Sequence, residues 1–175
     1  EALIPYDAQS TYQKGIYEGE NHLRDDELEK FLISIRQKIG IDGSVLITFD
    51  ACHSGTANRI EEYVEDDDAP IRGTNVIFSS NPFYIAPGNK HIERKTKLAQ
   101  QNGLSPICII SACQPFQRNF ETKVGNSYYG TLSYSLYKVL KEVNQWNRIY
   151  YPKIWEQAKS FSSKQIPMIE SSYAL

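Results

Sequence analysis

Apolar positions first take on a helical rhythm at Leu28, Phe31, Leu32, Ile35 and Ile39, which fall at i, i+3, i+4, i+7 and i+11 and stop at Gly40. Asp25 or Asp26 stands where such a helix is capped. The rhythm then changes. Val45-Leu46-Ile47-Thr48-Phe49-Asp50 is apolar or β-favouring with no alternation, which is how a strand buried on both faces of a parallel sheet reads. Thr74–Ser80 predicts a second strand and Pro106–Cys113 a third, also buried. Helical spacing returns over Gly130–Val143, with Leu132, Leu136, Leu140 and Val143 on one face. It returns again after Pro152, through Ile154, Trp155, Ala158 and Phe161. The tail Gln165–Ser172 is extended and carries Pro167, which predicts an edge strand or strap. Helices alternating with buried strands argue for an α/β fold around a mostly parallel sheet.

Two polar stretches interrupt this pattern. Thr56–Gly73 contains Glu65-Asp66-Asp67-Asp68, which reads as a solvated loop, with a cation site as the other option. The connection over about 81–104 holds Pro82, Pro87, Gly88 and Gly103 with a basic cluster of Lys90, Arg94, Lys95 and Lys97, and a connection of that length is usually functional or mobile.

The 175 residues fit one ordinary domain. A net charge of -2 supplies no electrostatic reason to expect nucleic acid or an anionic membrane as a partner. No apolar run approaches the roughly 18 residues that a membrane span needs. Glu1-Ala2-Leu3-Ile4-Pro5 does not read as a signal peptide, and a start on Glu1 is expected of a processed or shortened piece. Cys52, Cys108 and Cys113 include no C-x-x-C, which points away from a disulfide framework or a zinc site and towards a reducing, cytoplasmic setting.

The chemistry concentrates where the first strand stops. Beyond Asp50 come Ala51, the Cys52 thiol, the His53 imidazole, Ser54 and Gly55, and in open α/β sheets ligands bind beyond the carboxyl ends of the strands. A thiol there either fills space or, with its proton removed by a base, attacks an electrophile. His53 is adjacent to Cys52 but poorly placed, because neighbouring side chains of an extended segment point to opposite faces. His22 and His91 lie in predicted loops. A cysteine phosphatase loop is disfavoured by counting, since six residues separate Cys52 from Arg59. A redox role is disfavoured because Cys108 and Cys113 sit along one predicted strand.

Asp50-Ala51-Cys52-His53-Ser54-Gly55 resembles the D-x-C-H-S-G block of metacaspases and their relatives in the caspase-like superfamily. Glu1–Asp7 resembles the E-x-x-x-P-x-D segment of that family, and Asp25-Asp26-Glu27-Leu28 its D-D-E-hydrophobic block. Ser111-Ala112-Cys113 is similar to its S-[GA]-C strand end, Gly130–Leu136 to its G-x-[ML]-[ST]-[YH] helix start, and Lys164–Met168 to its K-Q-x-P-x strand. These blocks occur in the family's order along most of the chain. The resemblance implies one caspase-like domain over 1–175, a three-layer α/β/α sandwich with a mostly parallel central sheet. It implies a Cys-His dyad endopeptidase acting on a protein or peptide substrate without an obligatory cofactor, with Cys52 as nucleophile and its backbone N–H in the oxyanion hole.

Asp50 is implied as an acid of the S1 pocket, giving cleavage after Arg or Lys, and a carboxylate pairs well with a guanidinium in a partly desolvated slot. The other reading of Asp50 is a cap on a neighbouring loop. The resemblance also implies Ca²⁺ near Asp25 and Asp26, whose hard oxygens suit that ion, although Arg59 stands where some members carry an acid. Arg94, Lys95 and Lys97 become candidate self-processing sites. The family's catalytic His lies about 50 residues ahead of the Cys, and no H-G motif is present in this chain. The base is therefore expected upstream of Glu1, with an N-terminal fragment of the same protein as its source; the alternative is an inactive caspase-like binding or signalling module.

Overall fold

The computed structural model describes residues 2–51, 69–73, 77–81, 83–84, 103–115, 117–142, 151–161 and 165–172, without the side chains of 151, 152, 154 and 161. They divide into two compact units, one formed by 1–45 and 74–106 and the other by 46–73 and 107–175.

In the first unit, strand β1 (Ala2–Leu3) pairs antiparallel with β2 (Leu23–Arg24), Ala2 opposite Arg24 and Leu3 opposite Leu23. Helix α1 (Asp25–Ile39) follows directly and ends at Gly40, as the apolar spacing predicts. Arg24, not an aspartate, is the N-cap; Asp25, Asp26 and Glu27 fill the first turn, where negative charge faces the positive end of the helix dipole. Glu27 reaches back to the Arg24 backbone N–H and side chain at 3.3 Å each.

The buried face of α1 is not the one the spacing suggests. Leu32 and Arg36 are buried, whereas Phe31 is 61% exposed and Ile35 and Ile39 are exposed as well. Arg36 explains the rotation. Its Nε donates to the Ser105 carbonyl at 2.7 Å, its own carbonyl accepts from Gly40 N, and burial pulls the guanidinium pKa down.

The predicted strand over Thr74–Ser80 does not form over its described part: residues 77–80 are irregular and Ile77 is exposed. Phe78 instead joins the rings of Tyr12, Tyr17, His22 and Tyr84, with centroids 4.5–6.1 Å apart in edge-to-face arrangements. His22 is thus packed against rings, and its Nε2 sits 2.8 Å from the Gln9 carbonyl. A local aromatic cluster has taken the residue that a sheet would have needed.

The second unit holds the largest sheet, three strands in the order β3 (Val45–Phe49), β4 (Ile107–Ser111), β7 (Met168–Ser171). Backbone bonds from Val45 N to Pro106 O at one end and from Ala112 N to Phe49 O at the other run β3 and β4 in the same direction. β4 pairs antiparallel with β7, Cys108 opposite Ser171 and Ser111 opposite Met168. β4 is central and almost wholly buried. β3 is only half-buried, contrary to the expectation of burial on both faces, and among the described residues it has one neighbour. β7 is the predicted edge strand.

Strands β5 (Glu121–Val124) and β6 (Ser127–Gly130) form a hairpin that the apolar pattern does not announce. Gly125, at φ +61° in the first central position of the two-residue turn, has the backbone freedom such a turn demands. Helices α2 (Thr131–Glu142) and α3 (Tyr151–Phe161) follow and lie where periodicity puts them. Leu132, Val139 and Ala158 join Cys108, Ile110 and Ala112 in the core, with Leu46, Leu136 and Ile169 packed against it.

The fold class expected from the resemblance is therefore corrected. Among the described residues there is no mostly parallel sheet covered on both faces by helices. There is one three-stranded mixed sheet and two two-stranded antiparallel ones. The physical reason lies in local pairing: residues 121–130 close on themselves through a two-residue turn, which requires far less ordering of chain than a crossover into a distant parallel ladder.

Leu132→Ala should lower the unfolding free energy by about 2–5 kcal/mol in urea titrations, while Phe31→Ser should stay within about 0.5 kcal/mol; equal effects would contradict the burial found here. The Arg24 side chain, followed by its backbone N–H, holds the Glu27 carboxyl below the usual glutamate range. A lowered folded-state pKa adds stability above the ordinary glutamate value, and that stability is lost as pH falls through the lowered one. Melting curves of Glu27→Gln should therefore show a slightly shallower acid-side decline than the parent, the effect being small because this pair faces solvent.

Candidate functional site

Asp50 is the first residue beyond β3, and both of its carboxylate oxygens are engaged. Oδ1 accepts from Asn119 Nδ2 at 2.8 Å, and Oδ2 accepts from the backbone N–H of Ser133 at 2.8 Å. Ser133 is the third residue of α2, so the carboxylate takes one of the N–H groups that a helix start leaves without an intrahelical partner. The helix dipole favours the negative charge there, an effect of about 0.3–2 kcal/mol depending on burial.

Asn119 is itself held. Gln165, 2% exposed, donates from Nε2 to Asn119 Oδ1 at 2.8 Å and to the Ala112 carbonyl at 3.0 Å, while its Oε1 accepts from Phe120 N at 2.7 Å. The neighbours dictate both amide orientations. A backbone N–H on one side of Gln165 and a carbonyl on the other allow one arrangement, which leaves Asn119 with its oxygen towards Gln165 and its NH₂ towards Asp50. Two buried amides thus run from the end of β4 to the end of β3 and terminate on the carboxylate. Thr131 closes the neighbouring wall, its Oγ1 donating to the Phe120 carbonyl at 2.8 Å and lying 2.9 Å from Thr122 Oγ1.

A cation stands beside the carboxylate. Pro70–Arg72 runs along the start of β5, with Ile71 bridged to Phe120, Arg72 N bonded to Asn119 O and Glu121 N to Pro70 O. This brings Arg72 Nε to 3.1 Å from Glu121 Oε1. Gly130, opposite Glu121 in the hairpin register, allows the groups to meet. A Cβ on Gly130 would collide with Asp50 Oδ2 and lie 2.7 Å from Arg72 Nε.

Cys52 and the basic residues Arg94, Lys95 and Lys97 lie outside the described residues. In α1, Asp26 N bonds Asp25 Oδ1 at 3.0 Å and Asp26 Oδ1 sits 3.8 Å from Arg24 Nε. Among the described residues, no group of three or more His, Cys, Asp or Glu side chains is gathered to hold a metal ion. No described helix is long and apolar enough to cross a membrane. Cys108 and Cys113 are fully buried, and burial raises the Cys108 thiol above its usual range. The first unit carries a separate open depression of about 630 Å³ lined by Glu20, His22, Glu27, Lys30, Phe31 and Ser34, whose charges are mixed.

Asn119, Glu121 and Arg72 were not singled out by the sequence, and Ser133 only within the Gly130–Leu136 helix-start block. Gln165 was, but only within its strand block. The one local signal was an amide leading into the apolar run Ile166-Pro167-Met168-Ile169, since such a group requires partners when buried.

No protein-family model, no curated protein and no solved structure matches this chain.

Gln165→Leu would leave Phe120 N–H, the Ala112 carbonyl and Asn119 Oδ1 each short of a bond. It should destabilise by about 3 kcal/mol, three groups each losing a hydrogen bond worth about 1 kcal/mol net. Native-state hydrogen exchange should show the Phe120 amide losing protection well beyond the global change; unaltered protection would contradict the network.

Proposed function

We propose that this protein is a cysteine endopeptidase that cleaves after Arg or Lys, with Cys52 as nucleophile and Asp50 as the acid that reads the basic side chain. One observation carries the reading: the Asp50 carboxylate is held by two fixed donors at the end of β3, two residues ahead of the Cys52 thiol. A preorganised carboxylate binds a guanidinium without having to be ordered first. Each oxygen has a second lone pair beyond the bond it accepts here, so capping α2 and receiving a cation are compatible.

In the proposed reaction the Cys52 thiolate attacks the scissile carbonyl carbon, and the backbone N–H of Cys52 helps to hold the resulting oxyanion. An imidazolium protonates the departing amine, leaving an acyl thioester; water then attacks the thioester carbonyl, giving its proton to the imidazole and its oxygen to the acid product as the Cys52 thiolate leaves. The D-A-C-H-S-G run and its resemblance to metacaspases support this assignment. The imidazole is not assigned to any described residue.

Two measurements on the full-length protein test the proposal. In the native state, iodoacetamide should label one thiol, Cys52, while Cys108 and Cys113 stay unmodified until denaturant is added. An Arg-aminomethylcoumarin peptide should be cleaved by the parent and not by Cys52→Ala. Asp50→Asn should lose about a hundredfold in kcat/KM, consistent with removal of a charge-assisted bond worth about 1.5–3 kcal/mol. Absence of Cys52-dependent release, with and without added Ca²⁺, would overturn the peptidase reading in favour of an inactive binding module.

A further inference from the structure

We propose that Glu121 and Asp50 are the two acids of one guanidinium slot and that Arg72 is its internal occupant, which must swing out before a basic side chain can enter from outside. This inference rests on the role given to Asp50 above and adds two things: a second specificity-determining acid and a built-in competitor.

Asp50 is fixed by Asn119 Nδ2 and Ser133 N, so it cannot turn towards a ligand; a ligand has to come to it. Glu121 is mostly buried, its side chain 19% exposed, and its backbone is tied to Pro70 and to the hairpin. Arg72 is the exposed partner at 39%, and it meets Glu121 through Nε. A guanidinium about two-fifths exposed and joined to the carboxylate through Nε alone is readily displaced in water. Asp50 is held independently of Arg72, and Arg72 is the more exposed member of its pair, which is the asymmetry expected of a slot with a removable plug.

A cross-strand ion pair would by itself account for Arg72 and Glu121. It does not account for Gly130. The Arg72 guanidinium and the Asp50 carboxylate both crowd the face of Gly130 where any other residue would carry its Cβ, Nε and Cζ of Arg72 lying 2.7 and 2.8 Å from that position. The hairpin thus leaves a floor without a side chain, with Glu121 opposite in register and Asp50 alongside. An arginine or agmatine-like guanidinium, planar and with donors on two edges, suits two carboxylates converging from different directions better than a point-charge ammonium does.

Titration calorimetry with agmatine on the full chain carrying Cys52→Ala tests the slot without any catalysis. Adding Arg72→Gln should tighten agmatine binding roughly tenfold, as for a site self-occupied about nine-tenths of the time. Adding Glu121→Gln to that variant should reverse most of the gain. Lys123→Gln, which changes the net charge as Arg72→Gln does but two residues along β5 from Glu121, should move the affinity by less than about twofold at 0.15 M salt. Should Arg72→Gln fail to fold, Arg72→Lys serves in its place, with a gain of the same sign. Affinity unchanged by either Arg72 variant, or insensitive to Glu121→Gln, would overturn the proposal. Tightened agmatine binding without Cys52-dependent peptide release would leave the slot standing and remove the peptidase reading; release without any agmatine effect would do the opposite.

Discussion

The second unit depends on one buried constraint, the need to satisfy the Gln165 amide. Gln165 sits where the chain returns to the sheet as β7, and its three bonds reach the end of β4, the start of the hairpin and Asn119. Because each partner dictates the orientation of the next, the chain of amides has a direction, and its last donor faces Asp50. The carboxylate then takes the N–H of Ser133 and fixes where α2 begins. A strand end, a hairpin and a helix start are thereby joined through polar groups that would each be costly to bury alone.

This arrangement sets the character of the candidate site. A carboxylate organised by buried neighbours is rigid before any ligand arrives, so affinity for a cation need not be spent on ordering it. Arg72 shows what the surroundings accept, a guanidinium across Gly130 from Asp50 and paired with Glu121. Structural and recognition roles of Asp50 are therefore not rivals. The cap and the amide chain hold the charge in the place where a basic group can find it.

The first unit follows a different logic. Its helix turns Arg36 inwards and leaves Phe31, Ile35 and Ile39 towards solvent, and its loop region is organised by rings around Phe78 rather than by a sheet. Edge-to-face contacts of this kind need few residues and little chain closure, so they form where a short segment has several aromatics close in sequence or brought together by one turn.

Read from the sequence alone, the elements with strong internal rhythm were legible: the helix ending at Gly40, the strand through Ile110, the two helices after Gly130, and the proline-led edge strand. Their signals are local, since an apolar stripe and a breaker act over a few residues. Asp50 was legible as a charge at a strand end. What it touches was not, because Asn119, Ser133 and Gln165 lie far along the chain and nothing in their own neighbourhoods marks them as its partners. The expected parallel sandwich failed for the same reason. Strand pairing is a competition between distant segments, and here a two-residue turn at Gly125 and an aromatic cluster at Phe78 took residues that a larger sheet would have required. Periodicity decided the three helices and the strands β3, β4 and β7; only tertiary contact decided the hairpin, which strands met, which face of α1 was buried, and which donors reached the carboxylate.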